Sequence, residues 1–238
     1  EVVLSGMAVL ESGRRNIVVL GAGFGGITAL LKLHRGLARR GLLGYYRLIL
    51  ISRNAQHLYT PALYEIASIP KGEADAVCLK SVICIQVEDI LAKLPGVRFV
   101  GDTVTAFDPE RHTIALAGGD RLNFEYALVA LGAETNFFSI PGLSDRAYPL
   151  KTFEDAVRLR NRAEALMGRP ADTLRIIVGG GGATGIELSA EFVRFFRHLA
   201  ERPNAPNCRI EIAIIEAAPT ILSGFSPGIV RRAECRLR

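Results

Sequence analysis

An α/β fold built on two parallel sheets is predicted by three observations. Gly21-Ala22-Gly23-Phe24-Gly25-Gly26 follows the apolar run Ile17-Val18-Val19-Leu20 and precedes a helical pattern. Gly180-Gly181-Gly182-Ala183-Thr184-Gly185 repeats that arrangement after Ile176-Ile177-Val178-Gly179. Between the two lies a stretch of short alternating strands with turn residues, the pattern of a small antiparallel meander.

The elements follow in order. Asn16 to Leu20 reads as a buried strand and Gly26 to Leu37 as a helix, with Ile27, Leu30 and Leu31 at helical spacing. Arg47 to Ile51 is a second strand. Its continuous apolar run suits a parallel sheet covered on both faces, which completes a βαβ unit. Residues 52–70 are less regular, and 74–90 mix strand and helix signals without a clear phase. Val97 to Val100 is a short strand. Val104 to Phe107, His112 to Leu116 and Arg121 to Phe124 form the meander, with turns at Asp108-Pro109 and Gly118-Gly119. Tyr126 to Leu131 is a further buried strand.

Pro141-Gly142 and Pro149 mark a boundary. Thr152 then caps a helix, with Asp155 three residues on as a variant capping box, and Gly168 and Pro170 end it. Leu174 to Val178 is a strand, Gly185 to Leu199 a helix and Ile210 to Ile215 a strand. Arg202 to Asn207, with Pro203 and Pro206, reads as an inserted loop. The expected organisation is a leader over 1–15, a Rossmann-like domain with its meander over 16–150, and the start of a second Rossmann-like domain over 151–238. A complete second domain needs more strands than 151–238 hold.

Composition narrows the function classes. The 238 residues are 49% hydrophobic and 22% charged, a globular balance. The net charge of +5 includes basic runs at Arg35 to Arg40 and Arg231-Arg232. These read as solvated faces, or as surfaces toward anionic cofactors or an anionic membrane. No basic patch is interleaved with aromatics, so nucleic acid is not an expected partner. Cys78, Cys84, Cys208 and Cys235 form no C-x-x-C and pair with no His at zinc spacing, so no metal is expected. Four scattered cysteines fit reduced thiols and a cytoplasmic location. No apolar run reaches the roughly 18 residues of a membrane span.

The fingerprints carry the chemistry. Gly21 permits the tight turn, Gly23 lets the backbone approach a pyrophosphate, and Gly26 lets the helix pack on the strand; the helix N-terminus then receives the phosphates. Gly180, Gly182 and Gly185 take the same roles. A ribose-binding carboxylate belongs at the end of the second strand. In the first half that place holds Ser52, beside Arg53, which suits a phosphate or an adenine face. In the second half it holds Glu216, which favours NAD(H) over NADP(H). Glu187 sits two residues past the last glycine, read as lying in the first helical turn. It either complements the helix dipole or contacts a reacting centre. Two dinucleotides side by side point to hydride transfer between them.

The chain resembles the two-dinucleotide flavoprotein oxidoreductases, and among them the type II NADH dehydrogenases. The resemblance rests on NIVVLGAGFGG (16–26), SRNAQHLYTPALYEIAS (52–68), YALVALGAETNFFSIPGL (126–143), YPLKTFEDAVRLRN (148–161), IVGGGGATGIELSAEF (177–192) and EAAPTILSGF (216–225). It implies FAD at Gly21, Gly23 and Gly26, with Ser52 and Arg53 near its adenosine. Thr60 and Pro61 would lie by the isoalloxazine, and Ala130 and Gly132 close to the FAD. NADH would be held by Gly180, Gly182, Gly185 and Glu216, and Glu187 would be the catalytic residue near the nicotinamide and the quinone. The family's chains are longer. The implied activity is NADH:quinone oxidoreduction at the cytoplasmic face of the inner membrane, with peripheral attachment through a C-terminal part and with room for a homodimer. Two alternatives stand beside it. One is a truncated nucleotide-binding module without turnover, and the other a sulfide:quinone-type relative. The absence of any Cys before 78 argues against a dithiol-relay reductase.

Overall fold

The computed structural model describes residues 13–168, 172–203 and 208–237. Most of the expected leader, Pro170 and residues 204–207 of the expected inserted loop lie outside the described residues. Along the chain, β1 (Arg15–Leu20), α1 (Phe24–Arg39) and β2 (Tyr46–Ile51) form the first βαβ unit. Next come β3 (Gln56–Leu58), a 3-10 turn at Thr60–Ala62, α2 (Leu63–Ser68), α3 (Ala76–Ile83), β4 (Cys84–Gln86), α4 (Val87–Leu91) and β5 (Val97–Val100). The meander is β6 (Val104–Asp108), β7 (Thr113–Leu116) and β8 (Arg121–Asn123), followed by β9 (Tyr126–Val129). The remainder is α5 (Leu143–Arg146), α6 (Phe153–Met167), β10 (Thr173–Gly179), α7 (Ala183–Ala200), β11 (Arg209–Ile215) and α8 (Pro227–Leu237).

Contacts divide these elements into two compact units, one of residues 1–58 and 84–134, the other of 59–83 and 135–238. In the first, a parallel sheet runs β5-β2-β1-β9. Successive side chains on a strand point to opposite faces, and both faces are covered. Ile17, Val19, Leu48 and Leu50 pack with Ile27 and Leu30 of α1. Val18, Leu20, Ile49 and Ile51 pack with Ile114, Leu116 and Phe124 from the meander side. Every one of these side chains is buried. This is why β1 and β2 read as unbroken apolar runs: neither strand has a wet face on which a polar residue would be favourable.

In the second unit, β10 and β11 pair in parallel from Thr173 opposite Arg209 to Gly179 opposite Ile215. The helix α7 carries Phe192, Phe195 and Phe196, all buried, with ring centroids 5.1–5.9 Å apart. The start of α6 has the expected capping box. Thr152 Oγ1 accepts from the Asp155 N–H at 3.0 Å, and Asp155 Oδ2 accepts from the Thr152 N–H at 3.0 Å. Helices also form where the sequence reading placed none. Residues 52–70 contain α2, and α8 begins at Pro227, a residue whose fixed φ suits the first helical position.

Candidate functional site

The first glycine loop is built where β1 stops. Gly21 has φ +102°, a conformation that a side chain would strain, and donates its N–H to Ile51 O at 2.8 Å. A Cβ on Gly21 would stand 2.4 Å from Ala130 O, and one on Gly26 would stand 1.8 Å from Gly21 O. The helix α1 starts at Phe24 with Gly23 as its N-cap, two residues earlier than the sequence suggested. No side chain caps it, and its first turn carries no acid. Its leading N–H groups and positive dipole end are therefore directed to whatever anion approaches. Around Gly23 the space is open, since a Cβ there would meet nothing within 4 Å.

Other predicted residues of this unit fall near the loop in different ways. Ala130 donates its N–H to Leu20 O at 2.9 Å, and its own carbonyl lies over Gly21. Gly132 is exposed with φ +78°. Ser52 stands just past β2, where its hydroxyl accepts from the Asn54 N–H at 3.3 Å, closing a local turn. Arg53 is exposed.

The second loop repeats the first. Gly180 has φ +108° and donates to Ile215 O at 2.8 Å. Gly182 is the N-cap of α7, again with no side-chain cap and no acid in the first turn. A Cβ on Gly185 would stand 2.0 Å from Gly180 O. What differs is Glu216. Its Oε2 accepts from the Gly181 N–H at 2.6 Å and its Oε1 from the Ala218 N–H at 2.8 Å. Those backbone donors, Ala218 first and Gly181 next, favour the charged form and hold the carboxyl below the usual carboxylate range.

Because α7 begins at Ala183, Glu187 is its fifth residue and lies beyond the first turn, where the dipole contribution falls off. Its expected place in the first turn is corrected accordingly. Glu187 is exposed and shares its surroundings with Tyr64 of α2, whose phenol is pushed up by burial and then by the carboxylates of Glu65, Glu187 and Glu191. Thr60 and Pro61 occupy the 3-10 turn ahead of α2, both exposed. Among the described residues, no group of His, Cys, Asp or Glu is placed to hold a metal ion, and no helix is long and apolar enough to cross a membrane.

One residue of the site escaped the sequence reading. His57, in β3, is 7% exposed, and its Nδ1 lies 2.8 Å from Ala22 O, inside the first glycine loop. Its ring meets Phe24 edge-on with centroids 4.8 Å apart. A histidine six residues past a strand carries no motif, and its partner is a main-chain atom, so no spacing rule announces it.

A family model described as pyridine nucleotide-disulphide oxidoreductase matches residues 15–238. The type II NADH:quinone oxidoreductase of Staphylococcus saprophyticus is 27% identical over 231 residues, which cover 94% of this chain and 54% of that protein. Its counterpart in Staphylococcus aureus strain NCTC 8325 is 28% identical over the same coverage. This chain thus spans about half the length of the curated relatives it matches. Among solved structures, NDH2 from Plasmodium falciparum in complex with NADH superposes with a TM-score of 0.74 at 25% identity, over 92% of this chain and 45% of that one. The sulfide:quinone oxidoreductase of Aquifex aeolicus gives 0.72 at 20% identity, over 93% and 48%, a likeness of fold.

Proposed function

We propose that this chain, which belongs to the pyridine nucleotide-disulphide oxidoreductase family, binds FAD at its first glycine loop and NADH at its second, and serves electron transfer from NADH through the flavin to a quinone. The observation that carries the reading is the pair of loops with one geometry. Each is a glycine turn whose last glycine packs too close to the first glycine's carbonyl to admit a Cβ, opening onto an uncapped helix N-terminus with free space beside its N-cap glycine. Both fit a pyrophosphate, because the backbone leaves room and supplies donors where negative charge would sit. The relatives named above support NADH as the donor and a quinone as the acceptor.

The chain's own residues divide the work. Gly21, Gly23 and Gly26 shape the FAD loop, with Ser52 and Arg53 toward the adenosine and Ala130 and Gly132 along the flavin side. Thr60 and Pro61 belong to the isoalloxazine side in this reading. Gly180, Gly182 and Gly185 shape the NADH loop, and Glu216 accepts from the ribose hydroxyls. When bound, the nicotinamide supplies the hydride and the flavin a two-electron relay, while the protein supplies position and electrostatics. Glu187 contributes a carboxylate able to hold or pass a proton, since quinone reduction by NADH consumes one. Quinones reside in membranes, so the reading includes peripheral attachment at the cytoplasmic face of the inner membrane.

The test is direct. The purified chain is titrated with FAD, and the flavin spectrum is followed on adding NADH and then a quinone. Uptake of FAD, bleaching by NADH and recovery of colour with quinone are expected, with Glu187→Gln slowing the recovery about a hundredfold, the lower range for a lost general acid or base. A folded protein that takes up no FAD overturns the reading. Bleaching without recovery on quinone assigns the chain to nucleotide binding without turnover.

A further inference from the structure

We infer that His57 is a positioning residue for the first dinucleotide: its Nδ1–H holds the Ala22 carbonyl and thereby aims the Gly23 amide at the ligand. A carbonyl oxygen can only accept, so the 2.8 Å contact requires the proton on Nδ1. Both the neutral Nδ1–H tautomer and the imidazolium carry that proton. The peptide joining Ala22 to Gly23 is trans, as are all in the described chain. In a planar trans peptide the C=O and the next N–H point in opposite directions. Anchoring Ala22 O on a buried imidazole therefore turns the Gly23 N–H away from His57, at the residue that caps α1 and has open space beside its Cα.

The second loop solves the same problem independently. Gly181 occupies the position that Ala22 holds in the first, and its carbonyl accepts from the Leu222 N–H at 2.7 Å. Both donors come from the segment that follows the second strand of their βαβ unit: His57 after β2, Leu222 after β11. Leu222 reaches its carbonyl from φ +51°, an unfavourable conformation for leucine that its surroundings impose. Two loops that each recruit a donor for the same carbonyl, one from a side chain and one from the main chain, indicate that the carbonyl must be turned away for the loop to work. The requirement explains a buried histidine in a strand of only three residues.

This inference rests on the FAD reading of the first loop, and the experiment separates the two. Three variants are compared with the parent full chain: His57→Asn, whose amide nitrogen falls at the Nδ1 position; His57→Gln, whose nitrogen falls at the Nε2 position; and His57→Phe, which keeps the ring. FAD affinity is measured by quenching of flavin fluorescence, and NADH affinity serves as an internal control. The Asn variant is expected to bind FAD within about threefold of the parent. The Gln and Phe variants are expected to bind about tenfold more weakly, as when a buried carbonyl loses its donor. NADH affinity should stay unchanged in all three. Equal FAD binding by the Phe variant and the parent overturns the inference. So does an Asn variant as weak as the Phe variant, which would assign His57 to packing on Phe24. A parallel loss of NADH affinity would assign it to general stability and overturn the inference too. If the folded parent takes up no FAD, the reading of the loop fails first and the inference falls with it.

Discussion

Alanine placed at Gly23 and at Gly26 should separate ligand approach from helix packing. At Gly26 the added Cβ lands 1.8 Å from Gly21 O, a main-chain atom that cannot swing aside. To regain ordinary contact, helix and strand must part by more than roughly 1 Å, in a core packed to near-crystal density. Overpacking of this kind costs about 1–3 kcal/mol, offset by about 0.5–1 kcal/mol from replacing glycine inside a helix. The net loss, up to about 2.5 kcal/mol, should lower the melting temperature by up to about 10 °C, at roughly 2–4 °C per kcal/mol for a chain of this size. At Gly23 the same methyl meets nothing within 4 Å, and φ is an ordinary −76°. Gly23→Ala should therefore melt with the parent while binding FAD at least tenfold more weakly, because the methyl enters the space assigned to the pyrophosphate. Thermal melts followed by circular dichroism, paired with flavin titration, read both effects. A Gly23→Ala protein that binds FAD like the parent would refute the idea that the loop takes a phosphate there. An unchanged melt for Gly26→Ala would refute the packing account.

Three further outcomes can be checked separately. Glu216→Ala should weaken NADH binding about tenfold and narrow the preference for NADH over NADPH; because backbone donors lower the Glu216 pKa in the folded state, its contribution is present above the usual carboxylate pKa and is lost as the pH falls through the lowered value, which an acid series of NADH titrations would show. Thr152→Ala removes the side chain that caps α6 and should cost about 1 kcal/mol, seen as a lower denaturant midpoint with an unchanged slope. At Glu164, burial raises the pKa, but the hydrogen bond from Arg202 at 2.7 Å and the Lys71 N–H outweigh it and the net shift is downward; Arg202→Ala should raise the Glu164 pKa above that of the parent in a carboxyl NMR titration.

How much of this was legible depended on where each signal resides. β1 and β2 could be read because parallel strands covered by other elements keep apolar runs. β10 and β11 could be read because each is an apolar run placed before or after a glycine loop and helix, although only partly buried, and the loops because glycine is enforced by contacts of 1.8–2.4 Å with main-chain oxygens. The α6 cap was visible because Thr152 and Asp155 satisfy each other locally. The region from β3 to α4 was not, since elements of three to eight residues are too short to establish a period. The β3–β4 pairing joins Gln56 to Gln86 across two helices, so nothing local reports it. Within the site, Glu216 could be found as a carboxylate at a strand end. His57 acts on a main-chain oxygen and Leu222 through its own N–H, so the identity of the side chain is silent in one case and unspecific in the other.

The position of β1 in its sheet has a consequence for how the chain is made. Its neighbours are β2, which follows closely, and β9, which pairs Ile17 with Tyr126. The ion pair between Arg15 and Glu125 beside that seam joins residues 110 positions apart. At about 5–20 residues per second, synthesis takes roughly 5–20 s to deliver β9 after β1. During that interval one full edge of β1, flanked by Val18, Val19 and Leu20, has its hydrogen-bonding groups open. Emergence of β9 from the ribosome thus sets the earliest moment at which the nascent chain can close the β1–β9 seam of this sheet, and a chaperone that shields strand edges would act within that window.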